Sequence, residues 1–234
     1  MISENQFSSN LLELQLKIKE SANKSNRSTD EINIVAVTKT FPTQAWNMSV
    51  NKKLFLIGES RVQETEKKYK IFNKLNKIEL HLIGHLQKNK VKKAINYFDV
   101  IQTIDSIKLL TKINKTAKQL NKKQKIFLQV NIGRDPNKYG FNYNETIQAA
   151  EYQNKLKNIE LNGIMTIPPA NQPTKKLQHL YSKTRELKNK IQLQIDKNCK
   201  YLSMGMSNDF DIAITEGATH VRVGSALFGK RQNV

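Results

Sequence analysis

Lys39 closes the first apolar run of the chain, Ile32-Asn33-Ile34-Val35-Ala36-Val37-Thr38. Lysine is among the least buried residue types, and a run this apolar reads as a strand covered on both faces. The ammonium must therefore reach water, meet an anion, or do chemistry. A desolvated lysine sheds its proton and attacks a carbonyl carbon to give a Schiff base. Taken alone, a strand-terminal lysine more simply reaches solvent, so the other residues have to decide.

Arg222 is the second such residue. In His220-Val221-Arg222-Val223-Gly224 the two valines share one face, which leaves the arginine on the other. If the valines pack against helices, Arg222 lies in the interior, where an unpaired guanidinium is costly. It then requires an acceptor, either a carboxylate such as Asp105 or a ligand atom. A structural salt bridge and a ligand contact are equal readings of this residue.

Two further stretches, Ser203-Met204-Gly205-Met206-Ser207-Asn208-Asp209 and Arg222-Val223-Gly224-Ser225-Ala226, combine small residues with hydroxyls. Gly205 and Gly224 let the backbone approach a ligand, while Ser203, Ser207 and Ser225 supply hydroxyl donors. The plain alternative is that Ser207-Asn208-Asp209 caps a helix and Gly224 relieves crowding.

These residues need a scaffold. Phe7, Leu11, Leu14 and Ile18 recur at helical spacing, so the chain opens with an amphipathic helix of about four turns. Eight strand-like runs follow: Ile32–Thr38, Leu54–Gly58, Leu80–Gly84, Val100–Asp105, Ile126–Ile132, Leu161–Ile167, Tyr201–Met206 and His220–Gly224. Lysine-rich helical stretches lie between them, among them Glu66–Asn76, Ile107–Leu120, Glu145–Leu156 and Leu177–Ile195. Such alternation predicts a parallel α/β sheet, and eight units predict closure into a (β/α)8 TIM barrel with an extra N-terminal helix. An open doubly wound sheet would want a glycine-rich turn after its first strand, and Lys39-Thr40-Phe41-Pro42 has none. No linker or repeat divides the chain, so residues 1–234 are expected to form one domain.

In such a barrel, function gathers at the C-terminal strand ends. Those ends are Lys39, Glu59, His85, Asp105, Asn131, Thr166, Ser203 to Ser207 and Arg222 to Ser225. Hydroxyls and glycines after strands seven and eight match the usual phosphate site of phosphate-binding barrels. An amine, a phosphate cradle and a guanidinium together suit pyridoxal 5′-phosphate, whose ring nitrogen is partnered by Asp or Arg. An arginine partner would leave that nitrogen unprotonated and the ring a weaker electron sink.

Composition narrows the remaining classes. Net charge is +19 and the sequence pI about 9.9, which invites a nucleic-acid partner. The lysines are nevertheless spread over most predicted helices, and the basic stretches lack interleaved aromatics, so solvated helix faces are expected and no specific nucleic acid. No apolar run is long enough to span a membrane, and the start of the chain lacks a secretory signal. Cys199, the single cysteine, excludes an internal disulfide and fits a reducing cytoplasm. His81 and His85 bracket a strand end and are not expected to face one another, so no metal is expected. Glu59 and Asp105 as a hydrolytic carboxylate pair have no distinguishing spacing.

Several segments resemble the pyridoxal phosphate homeostasis proteins, a family related to the N-terminal barrel of alanine racemase. They are Val35 to Thr40, Gly58 to Glu64, His81 to Lys90, Gln129 to Ile132, Gly163 to Pro168, Leu202 to Ser207 and Val221 to Gly229, in family order. The resemblance implies a cofactor held as a Schiff base on Lys39, with Ser203, Gly224 and Ser225 at its phosphate and Arg222 facing its pyridine nitrogen. Where the family has Gly-Glu-Asn-Tyr-Val-Gln-Glu, this chain has Ser60-Arg61, and Ser60 is expected to keep a hydroxyl at that edge. Tyr139 replaces a small residue.

Racemase chemistry needs a second acid–base group opposite the lysine, which alanine racemase reaches through a second domain. This chain ends at Val234 and offers only Tyr139 and Tyr143 as remote candidates. The expected role is thus intracellular homeostasis, buffering and delivery of the cofactor by a monomer that touches dependent apoenzymes transiently. An amino-acid racemase or lyase is the alternative.

Overall fold

The structure is a computed structural model that describes residues 1–229. The eight apolar runs become β1 (Asn33–Val37), β2 (Leu56–Glu59), β3 (Glu79–Leu82), β4 (Val100–Ile104), β5 (Gln124–Val130), β6 (Ile159–Thr166), β7 (Tyr201–Met206) and β8 (His220–Val223). Each strand pairs parallel with the next, and β1 pairs with β8 to close the barrel. The helices are α1 (Glu4–Lys24), α2 (Gln44–Asn51), α3 (Val62–Ile71), α4 (Val91–Tyr97), α5 (Ile107–Gln119), α6 (Tyr143–Asn154), α7 (Thr174–Gln194), α8 (Phe210–Thr215) and α9 (Ser225–Phe228).

Strand alternation sorts the side chains into two environments. Ala36, Ile57, Leu80, Leu82, Ile101, Leu202, Val221 and Val223 belong to the large apolar mantle between strands and helices. Val100, Phe127 and Met165 form a separate small cluster, with Ile167 packed against it. Arg222 falls between the two mantle valines and is buried on the opposite side, inside the barrel. A Cβ at Gly58 on the adjacent β2 would meet the side chains of Val35, Val37 and Ile83, on the face opposite the mantle residue Ala36, so Lys39, two residues past Val37, continues that inward row.

Two helices differ from expectation. The N-terminal helix runs 21 residues, about six turns and not four. Ser3 caps its first turn through the Gln6 N–H, and Ser21 and Ala22 extend its buried face beyond Ile18. That face packs on α8 and α9, where Phe7 meets Phe228 with ring centroids 5.2 Å apart. Helix α3 begins before Glu66 and stops at Ile71, because Phe72 turns out of it to meet Trp46 edge-on at 5.3 Å.

Candidate functional site

A cavity of about 480 Å³ opens at the C-terminal end of the barrel. Lys39, Ser207, Arg222, Gly224 and Ser225 all line it, together with Val37 and Ile83. Thus five of the residues singled out from the sequence converge on one place. A larger groove outside the barrel, between α2 and α3, is lined by Thr40, Phe41, Glu64 and Lys67 and holds none of those five.

Lys39 is half-buried, and its two chain neighbours are pinned from outside the barrel. The buried Thr38 hydroxyl donates to Glu59 Oε1 at 2.6 Å, and Trp46 Nε1 donates to both. Lys68 Nζ donates to the Thr38 carbonyl at 2.9 Å and to Glu59 Oε1 at 2.6 Å. Glu64 Oε1 lies 2.9 Å from the same ammonium and accepts the Thr40 N–H at 2.7 Å. Thr40 has φ 69°, a left-handed conformation that a β-branched residue adopts only when held there. Burial raises the Glu59 carboxyl above its usual range, opposed by the Lys68 charge. Glu59 therefore faces the helices, and the hydrolytic pairing with Asp105 has no geometry to support it.

Arg222 is 4% exposed. Its Nη1 donates to Ser203 Oγ at 2.8 Å and its Nη2 to the Thr166 carbonyl at 2.8 Å. Burial pulls its pKa down to about 10, with Tyr181 and Asp209 opposing, so it stays charged at neutral pH. Asp105 is not its acceptor, because that carboxylate pairs with His85 Nδ1 at 2.9 Å.

Two expected residues are placed elsewhere. Ser203 is fully buried, and its hydroxyl donates to Gln102 Oε1 at 2.6 Å while accepting from Arg222. It supports the guanidinium from beneath and does not line the cavity; the pairing of β7 with β8 slips between Ser203 and Met206, which carries only the later residues to the mouth. Ser60 does not line the cavity either. Its carbonyl packs against Gly84, where a Cβ would come within 2.2 Å.

The β7 loop is shaped by Asp209, which the sequence suggested only as part of a cap. Its carboxylate accepts the Met206 N–H at 2.6 Å and the Tyr181 hydroxyl at 3.0 Å. Burial, reinforced by that carboxylate, pushes the Tyr181 phenol up. Gly205 takes φ 87°, and a Cβ there would meet Ala213 at 2.6 Å. Ser207 Oγ accepts the Ala226 N–H at 3.4 Å, tying the two hydroxyl loops together. Gly224 lets β8 lie close to β1, since a Cβ would sit 3.2 Å from the Val37 carbonyl.

Sequence reasoning missed Lys138, which lines the cavity and donates to the Pro168 carbonyl. At the rim, exposed Tyr139 stacks on His85 with centroids 3.8 Å apart. His81 instead lies buried in the barrel, so the two histidines do not face each other.

The chain is an α/β barrel with a lysine, a guanidinium and hydroxyl loops at one mouth, and the family model of the alanine racemase N-terminal domain matches residues 17–232. The chain belongs, within that class, to the pyridoxal phosphate homeostasis protein family. It is 35% identical over 216 residues to the pyridoxal phosphate homeostasis protein of Aquifex aeolicus, covering 92% of this chain and 94% of that one. The human protein of the same name is 36% identical over 211 residues, 85% of this chain and 76% of its own. The solved structure of PipY from Synechococcus elongatus PCC7942 with PLP bound superimposes with a TM-score of 0.81 at 31% identity, over 91% of this chain and all of that one (100%).

Proposed function

We propose that this protein binds pyridoxal 5′-phosphate at the barrel mouth through Lys39, and holds and releases it in the cytoplasm as part of cofactor homeostasis. One observation carries the reading: Lys39, Arg222, Ser207 and Ser225 line a single cavity of about 480 Å³, a size suited to a small cofactor. The family relatives named for this role, and PipY with PLP bound, support it.

The donor set fits the group. Bound there, pyridoxal phosphate would supply an aldehyde for an amine and an electron-withdrawing ring. Lys39 Nζ provides the amine, Ser207 and Ser225 provide hydroxyls for the phosphate, and Arg222 directs N–H groups toward the ring nitrogen. Ser203 and Thr166 orient that guanidinium. Among the described residues, the other ionisable side chains lining the cavity are Lys138 and Asp209, and both are committed to protein partners. That commitment favours holding over turnover, so the protein acts as a carrier that passes the cofactor to apoenzymes.

The test is an absorption titration with pyridoxal phosphate, followed by borohydride reduction and peptide mapping. A visible band that disappears on reduction, with the tag on Lys39, is expected, and Lys39→Ala should abolish it. Absence of a band in the wild-type protein would refute the cofactor assignment. Multiple turnover of an amino acid, dependent on Lys39, would replace the carrier with a racemase or lyase.

A further inference from the structure

We infer that His81, Gln102 and Ser203 are positioning residues for Arg222, joined to it in a one-way hydrogen-bond line that ends on Glu79. The line rests on the reading of Arg222 as the partner of the cofactor ring. Its links are short: Arg222 Nη1 to Ser203 Oγ 2.8 Å, Ser203 Oγ to Gln102 Oε1 2.6 Å, Gln102 Nε2 to His81 Nδ1 2.7 Å, and His81 Nε2 to Glu79 Oε1 2.8 Å. Gln102, His81, Ser203 and Arg222 are all buried, whereas the Glu79 side chain is 38% exposed at the N-terminal end of β3. The line therefore runs from the cavity to the opposite end of the barrel.

Its direction follows from chemistry. An ionised carboxylate only accepts, so His81 Nε2 carries the proton donated to Glu79. The Glu79 carboxyl is well suited to this, because the His81 hydrogen bond, above all, holds its pKa down to about 2. With the Gln102 oxygen taken by Ser203, it is the amide nitrogen, a donor, that faces Nδ1 at 2.7 Å, so Nδ1 accepts from it. The amide oxygen accepts the Ser203 hydroxyl, whose lone pairs accept from Arg222. Every link donates in the same sense, and such chains polarise one another in a low-dielectric interior.

Moving the proton to His81 Nδ1 would reverse the geometry. Gln102 would have to present its oxygen to the ring and its NH₂ to Ser203. The Ser203 hydroxyl would then meet two donors, and its own proton would lose its acceptor. The tautomer at the barrel floor is thus coupled to the orientation of the guanidinium at its mouth. Neighbours help hold it: Lys125 Nζ lies 3.6 Å from Glu79 Oε2, and the His220 ring sits 6.0 Å from that of His81. His220 stays neutral beside it, its pKa pulled down to about 3, chiefly by burial.

Gln102→Met cuts the line while keeping the side-chain volume. The first readout is the ¹⁵N side-chain spectrum of Arg222 in the full chain without cofactor, assigned by its loss in Arg222→Lys. Slowly exchanging Nη–H signals are expected in the wild type and their broadening in Gln102→Met. The second is pyridoxal phosphate titration, with an affinity about tenfold weaker and a shifted absorption maximum, while borohydride still tags Lys39. Unchanged Arg222 signals in Gln102→Met would overturn the proposal. Altered Arg222 signals with unchanged affinity and spectrum would keep the line and sink the assigned role of Arg222 at the ring. Should Gln102→Met fail to fold, Glu79→Gln at the half-exposed end must shift the same Arg222 signals, and no shift there refutes the line.

Discussion

Lys68 and Arg222 are both buried cations close to β1, and they are held by opposite means. Lys68 sits in the mantle against two carboxylates, Glu59 at 2.6 Å and Glu64 at 2.9 Å. Arg222 sits inside the barrel on a hydroxyl and a carbonyl, with Asp209 and Tyr181 acting on it only through the field. A cation neutralised by its own carboxylates has no attraction left for a ligand. A guanidinium with five N–H groups, held by neutral acceptors at two points, keeps both charge and donors for the cavity it lines. The same contrast separates scaffold from site: the Lys68 cluster fixes the backbone on either side of Lys39, and Arg222 faces what Lys39 would hold.

Four measurements would break or sharpen that contrast. The largest effect belongs to Lys68→Met, which strands the Glu59 carboxylate in the mantle. Urea unfolding should show a loss of about 3–5 kcal/mol, largely recovered in the double variant Lys68→Met/Glu59→Leu. A cost below about 1 kcal/mol would show that the cluster does not carry the fold. Next comes acid. The unfolded chain binds a proton at His220 near pH 6.5, but burial keeps the folded chain from doing so until about pH 3. Stability should accordingly fall as pH drops below 6.5, by about 3 kcal/mol at pH 4, and His220→Asn should flatten that slope in pH-dependent unfolding.

Arg222→Met is expected to change stability by no more than about 1–2 kcal/mol, since it removes a buried charge along with its hydrogen bonds. Its affinity for pyridoxal phosphate should fall tenfold or more by absorption titration. A stability loss as large as that of Lys68→Met would erase the distinction between the two cations. The smallest effect is that of Glu64→Gln, whose partner contact is partly exposed. A destabilisation of about 0.5–1 kcal/mol in thermal melts is expected.

Much of this was legible in the sequence wherever one alternation rule sufficed. Lys39 lies in phase with Val35 and Val37, and Arg222 out of phase with Val221 and Val223, so both point inward once the barrel closes. By the same parity Gly58 faces in and Glu59 out, which removes Glu59 from the site. The rule fails where register slips. Ser203 and Ser207 belong to one strand-and-loop segment, yet the irregular pairing between Ser203 and Met206 puts one under Arg222 and the other at the mouth. Lys138 and Asp209 were illegible for another reason. Their partners, Pro168 and the Tyr181 hydroxyl, lie about 30 residues away in sequence and meet them only through tertiary packing.

The long first helix has a consequence for synthesis. Its buried face, Phe7, Leu11, Leu14, Ile18 and Ala22, packs on α8 and α9, the last two helices described. Roughly 190 residues separate the end of α1 from the start of α8. At ribosomal speeds of about 5–20 residues per second, that face waits on the order of ten to forty seconds for its cover. Throughout that interval the nascent chain displays an unpaired amphipathic helix, a surface for chaperones to shield until translation delivers Phe210 and Phe228.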